Sequence, residues 1–441
     1  VYTVKARSWY AGTPSTGFGT HRPVGLAAIG WVVIHFSDSE VAFRSAGIAL
    51  AIGAVTIMWF AGRSMLSPTA AWIGTGVFAA STTYLRRATE FLNDLTAAGL
   101  LLATMFVIWY HFERRPGGWW LVLAAPLAAA AYYVRYGSAL GSVLIAVVAA
   151  AVWIRELRRS WRQIAATSAA VVVLLVPHFL YAFGETESLF GVLRSASTSL
   201  PSGGGGLGDY LGWFPGHLAG TLGAAVMIAG AAYTIVLAIL AIRERRWTSK
   251  TRTAVFLSAT ALSFTIALGA FTHGEPRFIF IALMAALLVG GQAIAVPMGH
   301  LRSSPHRIVA VALAVIISHA FVTRTDDMQT VMDSITERRG VVVDTGEAVR
   351  RHAGPDTCSI RSSYVPQLTW YSTCATFSFT DGFRATDDAS YLVLFEHGKR
   401  QPDGAVLEAE ISRTSGVPIA EIRDPYDWIG DATVYRYEPD R

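Results

Sequence analysis

The chain has 441 residues, 53% of them hydrophobic and 15% charged, with a mean hydropathy of +0.41 and a net charge of +5. Soluble domains carry about 25% charged residues, so the composition excludes an ordinary soluble enzyme. Two cysteines exclude a disulfide-built scaffold, and basic residues clustered between apolar runs, with no exposed basic stripe, argue against a nucleic-acid partner.

In chain order, residues 1–20 read as neither a signal peptide nor a membrane span, so an earlier helix is expected upstream of Val1. Residues 25–36 form a short apolar piece suited to a helix lying at the membrane interface. About ten apolar stretches follow, at 41–62, 69–85, 91–110, 118–134, 138–154, 164–182, 217–242, 253–271, 277–296 and 307–322. The second, fifth and tenth are short for a crossing. From about Arg324 the composition turns polar. Helices are expected at 327–339, 345–352 and 404–414, and strands at 357–363, 391–396, 419–423 and 433–437. The chain thus reads as a first loop (1–40), a multi-span domain (41–323) and a small α/β domain (324–441).

Basic loops stay cytoplasmic. Alternate connections carry Arg63, Arg114-Arg115, Arg155 with Arg158-Arg159, Arg243 with Arg245-Arg246, and Arg302. The first loop, the long 183–216 loop and the α/β domain then lie outside. In the long loop, Gly203-Gly204-Gly205-Gly206 lowers the cost of loop motion; with neither a Lys-Ser/Thr after it nor a strand before it, it is not a phosphate-cradling nucleotide loop. It reads as a mobile lid or a flexible linker. Cys358 and Cys374 fall on the outer side, where disulfides persist; a bridge and two buried thiols are the alternatives.

Charge in hydrocarbon is costly, so polar clusters at span ends mark a water-facing site. Four stand at the outer edge: His21-Arg22-Pro23, Tyr84-Leu85-Arg86-Arg87-Ala88-Thr89-Glu90 with Asn93-Asp94, Arg135-Tyr136, and His273-Gly274-Glu275-Pro276-Arg277-Phe278. Several Arg with a few carboxylates suit a phosphate-bearing substrate and a group that must lose a proton.

The order, spacing and shared side of these motifs resemble the polyprenyl-phosphate-sugar-dependent GT-C membrane glycosyltransferases, in the protein mannosyltransferase-like and aminoarabinose-transferase-like branch. The likeness runs from about Tyr2 to Val322, and the tail looks like the extracytoplasmic domain of that family. It implies a polytopic α-helical fold and transfer of a sugar from a lipid-phosphate donor to a lipid, glycan or protein acceptor. It also implies Arg86, Arg87 and Arg277, backed by Arg22 and Arg135, as phosphate ligands. Asp94, Glu90 and Glu275 are the candidate catalytic carboxylates, and His21, His273, Tyr84 and Trp213 the candidate sugar or acceptor contacts. The acidic pair of the family's first outer loop would lie upstream of Val1. A divalent cation is compatible with the resemblance, although no metal-ligand spacing such as His-x-x-x-His occurs.

Plainer readings stand beside these. Arg86 and Arg87 suit a helix C-terminus near headgroups, Glu275 and Arg277 a local ion pair, and Asp94 a first helical turn. His21 suits a structural role, and aromatic residues near span ends suit interfacial anchoring. The competing functions are a flippase or transporter of lipid-linked sugar and a non-catalytic cell-envelope assembly protein. Transporters show paired repeats and mid-membrane helix breaks, and neither is visible in the sequence.

Overall fold

The computed structural model describes residues 1–19, 21–198, 205–214, 216–272, 274–299, 303–354, 357–381, 389–398, 401–402 and 404–438. Its helices, in chain order, are α1 (Tyr2–Ala11), α2 (Gly25–Ile34), α3 (Glu40–Met65), α4 (Pro68–Ala79), α5 (Thr82–Ala88) and α6 (Asn93–Glu113). A 3-10 turn, Trp119–Leu123, leads into α7 (Ala124–Val134), α8 (Ser138–Val152), α9 (Ile154–Leu157) and α10 (Trp161–Thr186). Next come α11 (Gly191–Thr198), α12 (Gly206–Trp213), α13 (Gly216–Arg243) and α14 (Ser249–Phe271). A second 3-10 turn, Pro276–Ile279, precedes α15 (Phe280–Met298) and α16 (Ser303–Ala353). The α/β region holds β1 (Ser359–Arg361), α17 (Val365–Ser372), β2 (Ala375–Phe377), β3 (Ser390–Phe395), α18 (Gly404–Ser412), β4 (Thr414–Ile422) and β5 (Ala432–Tyr437).

The chain divides into two compact units: residues 44–328 with 20–26, and residues 329–441 with 1–19 and 27–43. In the first, seven helices among the described residues are long and apolar enough to cross a bilayer. They lie in α3, α6, α10, α13, α14, the Pro276–Met298 segment and the Ile308–Asp326 part of α16. The other three apolar stretches of the sequence make shorter helices. Ser67 caps α4 and Pro68 starts it, and Ala80 ends it before α5, so the 69–85 run is broken. The stretches at 118–134 and 138–154 become a 3-10 turn with α7, and α8 followed by the separate turn α9.

Burial ranks these helices. In the Pro276–Met298 segment 72% of the apolar window is buried, whereas in the Ile308–Asp326 part of α16 only Ile317 is buried against the bundle. The former is the bundle's centre and the latter presents its apolar surface outward, as a lipid-facing helix does. Close approach to α15 is made by glycine: a side-chain carbon at Gly290 would overlap the Val226 carbonyl of α13, and one at Gly291 the Ala70 carbonyl of α4. Small residues at such crossings allow backbones into van der Waals contact, the main attraction available between helices in lipid.

The second unit contains a five-stranded sheet of order β2-β1-β3-β5-β4. β1 pairs in parallel with β2 and β3, while β5 is antiparallel to β3 and β4. Every residue of β3 is buried, as a central strand covered on both faces requires. Ile360, Tyr391, Val393, Phe395 and Val434 form one core with Val341, Val342 and Val349 of α16. The two helices expected at 327–339 and 345–352 are one continuous helix. Gly340 between them costs about 1 kcal/mol relative to Ala, and the burial of Val341, Val342 and Val349 outweighs it. α17 and β2 are absent from the sequence reading; β2, with three residues, is too short to display a period of two.

Cys358 and Cys374 are joined in a disulfide spanning 16 residues, which ties the entry of β1 to the entry of β2. Residues of the first loop belong to this unit. The Arg7 guanidinium lies 3.4 Å from the Trp370 ring centroid and donates to the Trp370 carbonyl at 2.7 Å. Thr16 Oγ1 accepts from the Thr376 amide at 2.8 Å. α2 leaves Trp31 and Val32 exposed, and Phe36 just beyond it is exposed as well, the surface expected of an interfacial helix.

Candidate functional site

Asp94 occupies the first turn of α6, where the helix dipole favours a carboxylate. Arg135 follows the last residue of α7 and leaves the helix in an extended conformation, aiming its guanidinium back across α6. The two meet at 2.9 Å, with Asp94 only 4% exposed. Pro276 starts the short turn before α15 and cannot donate to a preceding carbonyl. Arg277, next in that turn, pairs its Nε with Glu275 and also feels the charge of Asp94. Phe278 lies between the two cations, its ring centroid 4.7 Å from the Arg135 guanidinium and 5.4 Å from that of Arg277.

These groups wall a cavity of about 30 Å³ whose polar lining includes Asp94, Arg135, Ser138 and Arg277. Its apolar wall is made by Leu101, Phe264, Leu268 and Phe280, among others. Two guanidiniums and one buried carboxylate line the cavity, and Glu275 pairs with Arg277 beside it. An Arg fork matches the oxygens of a carboxylate or phosphate in two bonds and keeps its charge at any working pH. An incoming anion therefore competes with Asp94 for Arg135, and a carboxylate so released is free to accept a proton.

The other sequence candidates distribute as follows. Arg87 pairs with Glu90 at 2.6 Å in the last turn of α5, and Glu90 also acts on Arg277. Arg86 is exposed and has no polar partner among the described residues. Tyr84 is buried against Phe78, in the bundle core rather than at an open face. Arg22 offers its carbonyl to the Tyr136 hydroxyl at 3.5 Å. Burial, reinforced by the neighbouring Arg22 charge, lowers the His21 pKa, which favours the neutral ring. His273 and the Trp213 side chain lie outside the described residues, as do Gly203 and Gly204 of the glycine run.

Two supports were not legible in the sequence. Tyr210 of α12 is 2% exposed and donates to the Glu275 carbonyl at 3.3 Å. Its neighbour Asp209 accepts from the Gly274 amide at 3.0 Å. Together they fix the chain just before Arg277. The only signal was an aromatic and an acid downstream of the glycine run. Arg324 of α16 donates to the Ala80 carbonyl at 2.8 Å and fills the space beside Gly220, whose φ of 71° interrupts α13.

The opposite end of the bundle carries a different network. Arg252 bridges Glu113 at 2.8 Å and Glu156 at 2.7 Å, and Trp153 donates to Glu113 at 2.6 Å. The ion pairs and the indole hydrogen bond together brace α6, α9 and α14.

Fold and site together define a polytopic α-helical membrane protein with an arginine- and carboxylate-lined cavity at one end of its helices. No protein-family model matches the sequence, and no curated protein matches it. Solved structures do. The crystal structure of ArnT from Cupriavidus metallidurans bound to undecaprenyl phosphate matches with a TM-score of 0.65 at 13% identity, covering 100% of this chain and 94% of that one. Its apo state matches with a TM-score of 0.67 at the same identity and coverage. The archaeal oligosaccharyltransferase AglB from Archaeoglobus fulgidus, in complex with an inhibitory peptide and a dolichol-phosphate, matches with a TM-score of 0.52 at 13% identity, over 85% of this chain and 59% of that one. At such identities the likeness concerns the fold: the chain shares the overall architecture of these membrane proteins.

Proposed function

We propose that the protein is a membrane glycosyltransferase that moves a sugar from a polyprenyl-phosphate donor to an acceptor hydroxyl on the extracytoplasmic face. The observation that carries this reading is the shared cavity of Asp94, Arg135 and Arg277 in a GT-C fold. Solved structures of the same fold hold undecaprenyl phosphate or a dolichol-phosphate, which supports a lipid-phosphate donor here. The opposite end supports the sidedness: Arg114-Arg115, Arg155, Arg158-Arg159 and Arg245-Arg246 follow helices that end there, as cytoplasmic loops require.

In the proposed reaction the acceptor oxygen attacks the anomeric carbon, and the bond from that carbon to the phosphate oxygen breaks. Its electron pair leaves on the phosphate, where Arg277 and Arg135 stabilise the added charge. The acceptor proton passes to Asp94, freed when Arg135 turns to the phosphate. No divalent cation enters this scheme. Asp94, Glu90 and Glu275 are each already paired with an Arg, a neutralised donor set that does not fit a dication.

The test is sugar transfer by purified protein supplied with polyprenyl-phosphate sugars. Arg277→Ala and Asp94→Asn are each expected to lower kcat by about 10²-fold or more, as losing a preorganised charge or a catalytic base does. Unchanged transfer in both variants would remove the site assignment.

A further inference from the structure

Ser138 is the first residue of α8 and lines the cavity with Asp94, Arg135 and Arg277. It is 2% exposed, yet its Oγ has no hydrogen-bond partner. A buried hydroxyl without a partner is destabilising, and this one faces a cavity lined by two guanidiniums. The helix itself supplies no partner: the hydroxyl makes no capping bond to a backbone amide of α8. The first two amides of α8 are engaged, Ser138 with the Arg135 carbonyl at 2.9 Å and Ala139 with the Tyr136 carbonyl at 3.0 Å. The hydroxyl is an uncommitted donor at this helix start.

Its surroundings select the ligand. The positive end of α8, Arg135 and Arg277 all favour negative charge. The space, about 30 Å³, is enough for about one or two water-sized groups. It accommodates one or two oxygens of a phosphate.

We propose that Ser138 is a ligand-binding residue whose hydroxyl donates to a phosphate oxygen entering between Arg135 and Arg277, and that the phosphate is that of the polyprenyl lipid. The last clause rests on the glycosyltransferase reading; the assignment of Ser138 to an oxyanion rests on the cavity alone.

The experiment measures binding of polyprenyl monophosphate to the purified full chain, with inorganic phosphate and phosphatidic acid as the other sources of the same chemistry. Wild type, Ser138→Ala, Ser138→Thr and Arg277→Ala are compared, each with its melting temperature in the absence of ligand. Losing one hydrogen bond to a charged group weakens affinity by roughly ten-fold or more. Ser138→Ala is therefore expected to bind polyprenyl phosphate about ten-fold less tightly while melting no lower than wild type, and Ser138→Thr, which keeps the hydroxyl, to retain most of the affinity.

Wild-type affinity in Ser138→Ala beside a loss in Arg277→Ala would overturn the role of Ser138 and leave the glycosyltransferase reading standing. A lowered melting temperature in ligand-free Ser138→Ala would overturn it in favour of a structural hydroxyl. Equal binding of inorganic phosphate or phosphatidic acid by wild type would remove the polyprenyl lipid from the proposal. Failure of wild type to bind polyprenyl phosphate at all would overturn both readings.

Discussion

Asp94 and Arg135 neutralise each other at 2.9 Å within a largely apolar setting, and that pairing sets the energetics of the site. Removing one member of a buried pair strands the other at a cost of about 3–5 kcal/mol. The partial exposure of Arg135 moves the expected value toward the lower end. Arg135→Ala is expected to lower thermal stability in detergent clearly, and the double variant Asp94→Asn/Arg135→Gln to recover most of it. In the α/β unit, Tyr437 donates to the buried Glu410 at 2.7 Å. Burial, and then Glu410, hold its phenol well above the ordinary range. The unfolded chain therefore loses this proton first, and stability is expected to be flat below about pH 10 and to fall above it. Tyr437→Phe should flatten the alkaline limb of a pH–stability curve; an unaltered limb would contradict the assignment. At this scale the sequence revealed charges that border apolar runs, hence Asp94, Arg135 and Arg277. It did not reveal Ser138 or Tyr210, whose importance lies in an absent partner and in a contact 65 positions away.

Helix lengths carry the next level. Hydropathy alone marks where apolar residues run, and it marked all of the bundle's main helices. It does not mark where Ser67 caps a helix or where Ala80 ends one, which is why the 69–85 run is two helices. The glycines of α15 were also silent in the sequence, since only packing distinguishes a glycine at a crossing from one in open space. Gly291→Ala is expected to destabilise the protein by about 1–3 kcal/mol, the usual cost of overpacking. Gly53→Ala, where nothing lies within 4 Å of the added carbon, is the matched control and should be neutral or slightly stabilising. Equal melting temperatures for the two would contradict the packing described for α15. In the α/β unit, the strands with clear alternation or a solid apolar run were legible. β2 was not, being only three residues long.

For the molecule as a whole, the alternation of basic connections and the Cys358–Cys374 bridge both support the extracytoplasmic placement of the α/β unit that we propose. Structural disulfides persist in oxidising compartments and are rare in the cytosol, and the bridge belongs to the unit that follows the last apolar helix. Intact cells expressing the protein should show no reaction with a membrane-impermeant maleimide until an impermeant reductant is added, and then label at Cys358 or Cys374. Labelling that requires membrane permeabilisation would reverse the orientation and with it the compartment of the reaction. The central claim is that a sugar–phosphate bond is broken at the arginine-lined cavity. It is tested most directly in proteoliposomes of the purified protein given polyprenyl-phosphate sugars and acceptor extracts, by measuring the polyprenyl monophosphate released. Release by wild type that is lost in Arg277→Ala is the expected result. Passage of intact lipid-linked sugar across the bilayer, with no monophosphate formed, would contradict it and identify a carrier in place of a transferase.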